Sequence, residues 1–141
     1  MKILFAIDGS PQAQAALETL IGKLGFLRET PRLTLYHVHP PVPHTAAVTI
    51  VGKEAVEKYY RDESEGVLES AGAFLSARGI PFRGEWRVGD PAEEIVKLAT
   101  DQQFDMIAMG THGHTALVNL VMGSVATKVV ALSKVPVLLL K

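Results

Sequence analysis

The stretch Met109 to Val125 reads Met-Gly-Thr-His-Gly-His-Thr-Ala-Leu-Val-Asn-Leu-Val-Met-Gly-Ser-Val and gathers most of the residues that could do chemistry. Glycines stand at 110, 113 and 123, and Ser124 opens a helix. Glycine lets a backbone come close to a ligand and tolerates positive φ. Backbone N–H groups in such a loop, and at a helix start, suit phosphate oxygens. Ser124 could cap its helix and offer a hydroxyl to the same anion. On spacing alone, a tight turn at Gly110 and Gly113 followed by a plain Gly123-Ser124 cap explains the pattern equally well. A second cluster, Asp8-Gly9-Ser10, places a carboxylate directly after an apolar run.

Other constellations are weaker. His37-x-His39 and His112-x-His114 each pair two imidazoles at i, i+2, but neither has a third ligand at close spacing, and zinc sites need three or four. We read them as strand-end and loop histidines, and His44, among prolines, as exposed. No Gly-Lys-Ser/Thr follows the first strand, which excludes a Walker-type site. Asp8 as a phosphate-accepting nucleophile lacks an adjoining acidic partner for Mg²⁺, so simple binding is favoured. Trp86, Tyr59 and Tyr60 read as packing residues, and Arg61-Asp62-Glu63 as a solvated helix face.

The elements that must position these groups alternate between short apolar and longer amphipathic runs. Lys2–Ile7 is apolar after its lysine, as in a strand buried on both faces of a parallel sheet. Ser10-Pro11 supplies a cap and a proline for the helix that follows, which should stop near Gly25. Arg32–His39 is the second strand, and Pro40-Pro41-Val42-Pro43 opens a loop reaching about Gly52. Lys53–Arg78 is a long helix, although Gly66 and Gly72 inside it each cost about 1 kcal/mol relative to alanine. Phe82–Val88 alternates enough to be an edge strand. Asp90-Pro91-Ala92-Glu93 starts a helix that runs to about Gln103, with capping aspartate, proline at N1 and glutamate at N3. Met106–Met109, Ser124–Leu132 and Val135–Leu140 complete the set as strand, helix and strand.

Five strands alternating with four helices specify a doubly wound α/β sandwich, with ligands bound beyond the carboxyl ends of the strands where strand order reverses. The loops after the first and fourth strands face one crevice if those strands are neighbours. The 141 residues suit one domain, residues 1–141, and the absence of cysteine removes disulfides, thiolate metal sites and a cysteine nucleophile. With 14 Lys+Arg against 15 Asp+Glu there is no basic excess to attract nucleic acid. Any phosphate must therefore be held mainly by backbone N–H groups and a helix end. Asp8 ends the N-terminal apolar stretch too early for a secretory signal, and no run approaches membrane-span length. A cytoplasmic location is the expectation.

The pattern Gly-x2-Gly-x9-Gly-Ser, realised by Gly110, Gly113, Gly123 and Ser124, resembles the signature of the ATP-binding branch of the universal stress protein family. The similarity covers essentially the whole chain, including Ile7-Asp8-Gly9-Ser10, Leu35–His39, Val88 to Ile95 and the final Val135-Pro136-Val137-Leu138-Leu139-Leu140. The resemblance implies a three-layer, Rossmann-like fold of the adenine nucleotide α hydrolase type, with a five-stranded parallel sheet ordered 3-2-1-4-5. It implies ATP, with AMP or ADP as alternatives and Mg²⁺ as a companion ion. In the implied site Asp8 contacts the adenosine part and the backbone at Val38 borders the adenine. Gly110 and Gly113 lie along ribose and phosphates, Gly123, Ser124 and Val125 bind the phosphate tail, and Met109 belongs to the same cofactor-binding set. His114 belongs to the set as a departure, because many relatives carry Arg or Lys there and histidine is mostly neutral near pH 7.

The implied role is a nucleotide-dependent regulator or sensor in stress response, with at most slow hydrolysis. Two readings compete with it. Thr111-His112-Gly113-His114 also resembles the Thr/His-x-Gly-His signature of nucleotidylyltransferases, but there the motif follows the first strand and is joined by a C-terminal basic motif missing here. A pure interaction protein on the same fold would not need the three-glycine motif. The resemblance also implies a homodimer paired through Val135–Leu140, an apolar strand at the sheet edge that would otherwise invite aggregation.

Overall fold

A computed structural model of the chain describes residues 1–27, 29–43, 50–113 and 122–141. Its strands are β1 (Lys2–Ala6), β2 (Arg32–His39), β3 (Phe82–Val88), β4 (Met106–Gly110) and β5 (Val137–Leu140). Its helices are α1 (Pro11–Lys23), which tightens into a 3-10 turn over Leu24–Phe26, α2 (Lys53–Ser76), α3 (Pro91–Asp101) and α4 (Ser124–Leu132). The five strands form one all-parallel sheet in the order β3-β2-β1-β4-β5, as expected.

Strand alternation sorts side chains to two faces, and among the described residues each face packs against two of these helices. Ile3, Phe5, Leu33 and Leu35 pack beneath Ala16, Leu17 and Leu20 of α1 and Leu75 of α2. Leu4, Ala6, Tyr36, Val38 and Met109 pack beneath Ile95 and Ala99 of α3 and Val129 of α4. β1 after Lys2, and β4, are therefore apolar, because their interior residues are buried on both faces. β3 lies at one edge, and Arg83, Gly84, Arg87 and Val88 are exposed, as its alternating sequence suggests.

Local chemistry sets the helix starts. Ser10 Oγ accepts from Ala13 N at 3.1 Å to begin α1, and Asp90 Oδ1 accepts from Glu93 N at 3.0 Å to begin α3. Each helix carries proline at its first position, where the missing N–H costs nothing.

The last strand is shorter than its apolar run predicts. Pro136 has no N–H to give a ladder, so only its carbonyl contributes, accepting from Ile107 N at 2.9 Å, and β5 begins at Val137. The two glycines within α2 differ in purpose. A Cβ at Gly72 would stand 2.5 Å from Phe82 Cζ, so Gly72 lets the helix approach β3, whereas a Cβ at Gly66 meets nothing within 4 Å.

Candidate functional site

β1 and β4 are direct neighbours, with Ala6 opposite Met109, so the loops leaving both strands open at the same end of the sheet. Beyond β1, Ile7 N still donates to Tyr36 O at 3.0 Å. The chain then turns so that Asp8 Oδ1 accepts from Ser10 N at 2.9 Å, a turn that aspartate favours because its short side chain reaches the backbone two residues on. Gly9 adopts φ +80°, and a Cβ there would approach Val67 Cγ2 of α2 to 2.8 Å. Both the backbone angle and the space require glycine at that position.

Beyond β4, Thr111 N donates to Leu140 O at 2.9 Å, and Gly123 N donates to Thr111 O at 2.7 Å. One residue thus joins the end of β5 to the start of α4. Thr111 Oγ1 and His112 Nδ1 are also hydrogen-bonded at 2.9 Å.

These segments enclose a cavity of about 490 Å³, within the range of small-molecule sites. Asp8, Val38, Met109, Gly110, Gly113, Gly123, Ser124 and Val125 all line it. His114 lies outside the described residues.

Two features of the glycine motif differ from expectation. None of its three glycines has positive φ; among the described residues the positive-φ glycines are Gly9, Gly52 and Gly79. The motif glycines serve space instead. A Cβ at Gly110 would come within 3.2 Å of His112 O and 3.5 Å of Ala16 Cβ, one at Gly113 would overlap Asp8 Oδ2, and one at Gly123 would come within 3.3 Å of Thr111 O. The second difference is the cap of α4. Gly123, not Ser124, is the capping residue, with φ −68° and ψ 157° and no side-chain cap, and Ser124 is the first helical residue. The first helical bond runs from Thr127 N to the Gly123 carbonyl at 2.9 Å, which makes Gly123 the cap. Geometry leaves the first-turn N–H groups of α4 without intrahelical acceptors, and Ser124, Val125 and Ala126 all border the cavity.

Charge at the cavity is one-sided. Among the described lining residues there is no Lys or Arg, while Asp8 and Glu63 contribute carboxylates and His37, His39 and His112 contribute imidazoles. Attraction for an anion therefore comes from the positive end of α4 and from backbone N–H groups. Tyr36 also borders the cavity; burial and the nearby Glu94 push its hydroxyl up to about 12, partly offset by Arg87, so it stays neutral.

Outside the cavity, Lys128 of α4 donates to Asp90 Oδ2 at 3.0 Å and Glu93 Oε1 at 2.9 Å. The clasp joins α4 to the start of α3, and Pro91 there is also a lining residue. The Glu93 N–H and then Lys128 hold the Asp90 carboxyl below the usual carboxylate range. Among the described residues, no group of three or more His, Cys, Asp or Glu is placed to hold a metal ion.

Several lining residues were not singled out from sequence. Tyr36 shares a face with Val38 two residues on, and the Asp90-Pro91 helix start follows a strand end, so both could have been found by alternation and topology. Glu63 and Val67 of α2 carry no such signal, because only the path of the long helix brings them to the cavity. His39 forms edge-to-face contacts with Tyr59 and Tyr60 at 5.4 and 5.0 Å between ring centres, consistent with packing roles for both tyrosines.

The sequence profile of the universal stress protein family matches residues 1–141. A universal stress protein of Thermus aquaticus, described by its place in the 3′ region of a QAH/OAS sulfhydrylase, is 31% identical over 140 residues, covering 99% of this chain and 97% of that one. The solved structure of MJ0577, a universal stress protein of Methanocaldococcus jannaschii, superposes with a TM-score of 0.81 at 30% identity, covering 99% of this chain and 94% of that one. More distant solved structures, of 16% to 20% identity and TM-scores of 0.67 to 0.72, share the fold and are described as complexes with cAMP, with dAMP (Archaeoglobus fulgidus) and with AMP (Arabidopsis thaliana). Among the described residues no helix is long and apolar enough to cross a membrane. On its sequence, its sheet order and these relationships, the chain belongs to the universal stress protein family.

Proposed function

We propose that this protein binds an adenine nucleotide in the β1/β4 cavity and acts as a nucleotide-dependent regulator in stress response. One observation carries the reading: the Asp8 carboxylate and the open start of α4 face one cavity, and the motif glycines let the segments that carry them pack together without side chains between. A carboxylate accepts from ribose hydroxyls, and the N–H groups of Ser124 and Val125 accommodate phosphate oxygens. The adenine lies against the backbone at Val38, with Gly110 and Gly113 along the ribose and phosphates and Met109 in the same binding set. Nucleotide complexes of the distant structural neighbours support the same class of ligand. ATP is the proposed ligand, with AMP and ADP as alternatives and Mg²⁺ carried by the phosphates. Any hydrolysis is slow. Residues 1–141 act as a single domain, in the cytoplasm and without nucleic acid or membrane as a partner.

Titration calorimetry with ATP, ADP and AMP tests the reading. We expect a dissociation constant of roughly micromolar order for at least one of them, and no measurable heat with any of the three would overturn it.

Among the described residues β5 has one unpaired edge, and Val130 and Leu132 of α4 are 46% and 47% exposed. A second copy pairing through Val135–Leu140 would cover that edge. Light scattering at micromolar concentration should then give twice the 15.2 kDa chain mass, whereas a particle of single-chain mass would rule the pairing out.

A further inference from the structure

His37 of β2 is 6% exposed, and its Nδ1 lies 2.9 Å from the carbonyl oxygen of Ile7. A carbonyl only accepts, so Nδ1 carries the proton and donates. The bond sits where the regular ladder stops: β1 and β2 pair last at Ala6 opposite Tyr36. Ile7 is then held on both sides by β2, its N–H by Tyr36 O at 3.0 Å and its carbonyl by the imidazole. The residue after Ile7 is Asp8. Because the Ile7–Asp8 peptide is planar, fixing its carbonyl fixes the direction in which the chain enters Asp8. Asp8 in turn places one oxygen on Ser10 N and the other against Gly113.

We propose that His37 is a positioning residue for Asp8, its Nδ1–H extending the β-ladder by one bond so that the carboxylate meets the sugar of a bound nucleotide. The inference rests on the nucleotide-binding reading. Asparagine carries its amide nitrogen on the same Cγ from which Nδ1 projects, so His37→Asn keeps a donor near that place, whereas His37→Leu fills the space without one.

Calorimetry with AMP on the full chain separates the roles. His37→Leu should weaken binding roughly fivefold to tenfold, the worth of one buried hydrogen bond. His37→Asn should stay within about twofold of the unsubstituted protein. In an Asp8→Ala background, His37→Leu should cost less than about twofold, because nothing is left to position. Thermal unfolding of each unliganded variant verifies that all are folded under the assay conditions. Equal losses in the Leu and Asn variants, or an undiminished loss beside Asp8→Ala, would overturn the role while leaving nucleotide binding intact. Absence of AMP, ADP and ATP binding by the unsubstituted protein would overturn the reading beneath it, and this inference with it.

Discussion

Gly123→Val should reduce affinity for ATP and AMP at least roughly a hundredfold, equivalent to about 2.7 kcal/mol, while the protein still folds. The backbone at 123, with φ −68° and ψ 157°, is one that valine adopts without strain. The obstacle is space. Its Cβ would stand 3.3 Å from Thr111 O, 3.6 Å from His112 Cα and 3.9 Å from Gly113 N. The branched methyls beyond that Cβ have only the loop or the cavity to occupy. Either choice covers the N–H groups at the start of α4 or displaces the segment opposite them. The folded state loses about 1–3 kcal/mol through the tight contact, so the variant should melt earlier yet remain native at 25 °C. Calorimetry paired with thermal unfolding reads both effects. A folded valine variant that binds within threefold of the unsubstituted protein would mean that the phosphates sit elsewhere.

Gly72→Ala should destabilise the chain although alanine is the better helix former. Its Cβ would lie 2.5 Å from Phe82 Cζ and 3.0 Å from Cε2, so α2 must lift from β3 or the ring must leave its place. Overpacking of this kind costs about 1–3 kcal/mol, and the helix-propensity gain of about 1 kcal/mol recovers only part of it. A fall in Tm of roughly 3–6 °C follows. Gly66→Ala, on the same helix with open space around it, should raise Tm by about 3 °C. The opposite signs isolate packing from propensity; two equal rises would show that Phe82 yields freely.

The features legible in the sequence are those decided by neighbours along the chain. Ser10 and Asp90 announce their helices because a cap needs only residues three apart, and the apolar runs at β1 and β4 reflect burial on both faces. The glycine motif was legible as a loop with room for a ligand, but not the reason for the room. That reason lies across the fold, in Asp8 beside Gly113 and Thr111 beside Gly123. His37 reads from sequence as an ordinary strand-end histidine, because its partner Ile7 is thirty residues away. Gly72 looked like a weakness in a helix until Phe82 came to rest against it.

The pairing of β1 with β4 has a further consequence for how a ligand would act on this chain. Asp8 and Gly113, which approach each other across that seam, stand 105 positions apart (113 minus 8) in the sequence. A molecule gripping both is a reversible cross-link that closes a very long loop, restraining the early half of the chain against the late half. Its stabilisation belongs to the whole protein, growing with free ligand as RT ln(1 + [L]/Kd). Losing either half releases it, so an occupied cavity certifies that both halves are folded and in register.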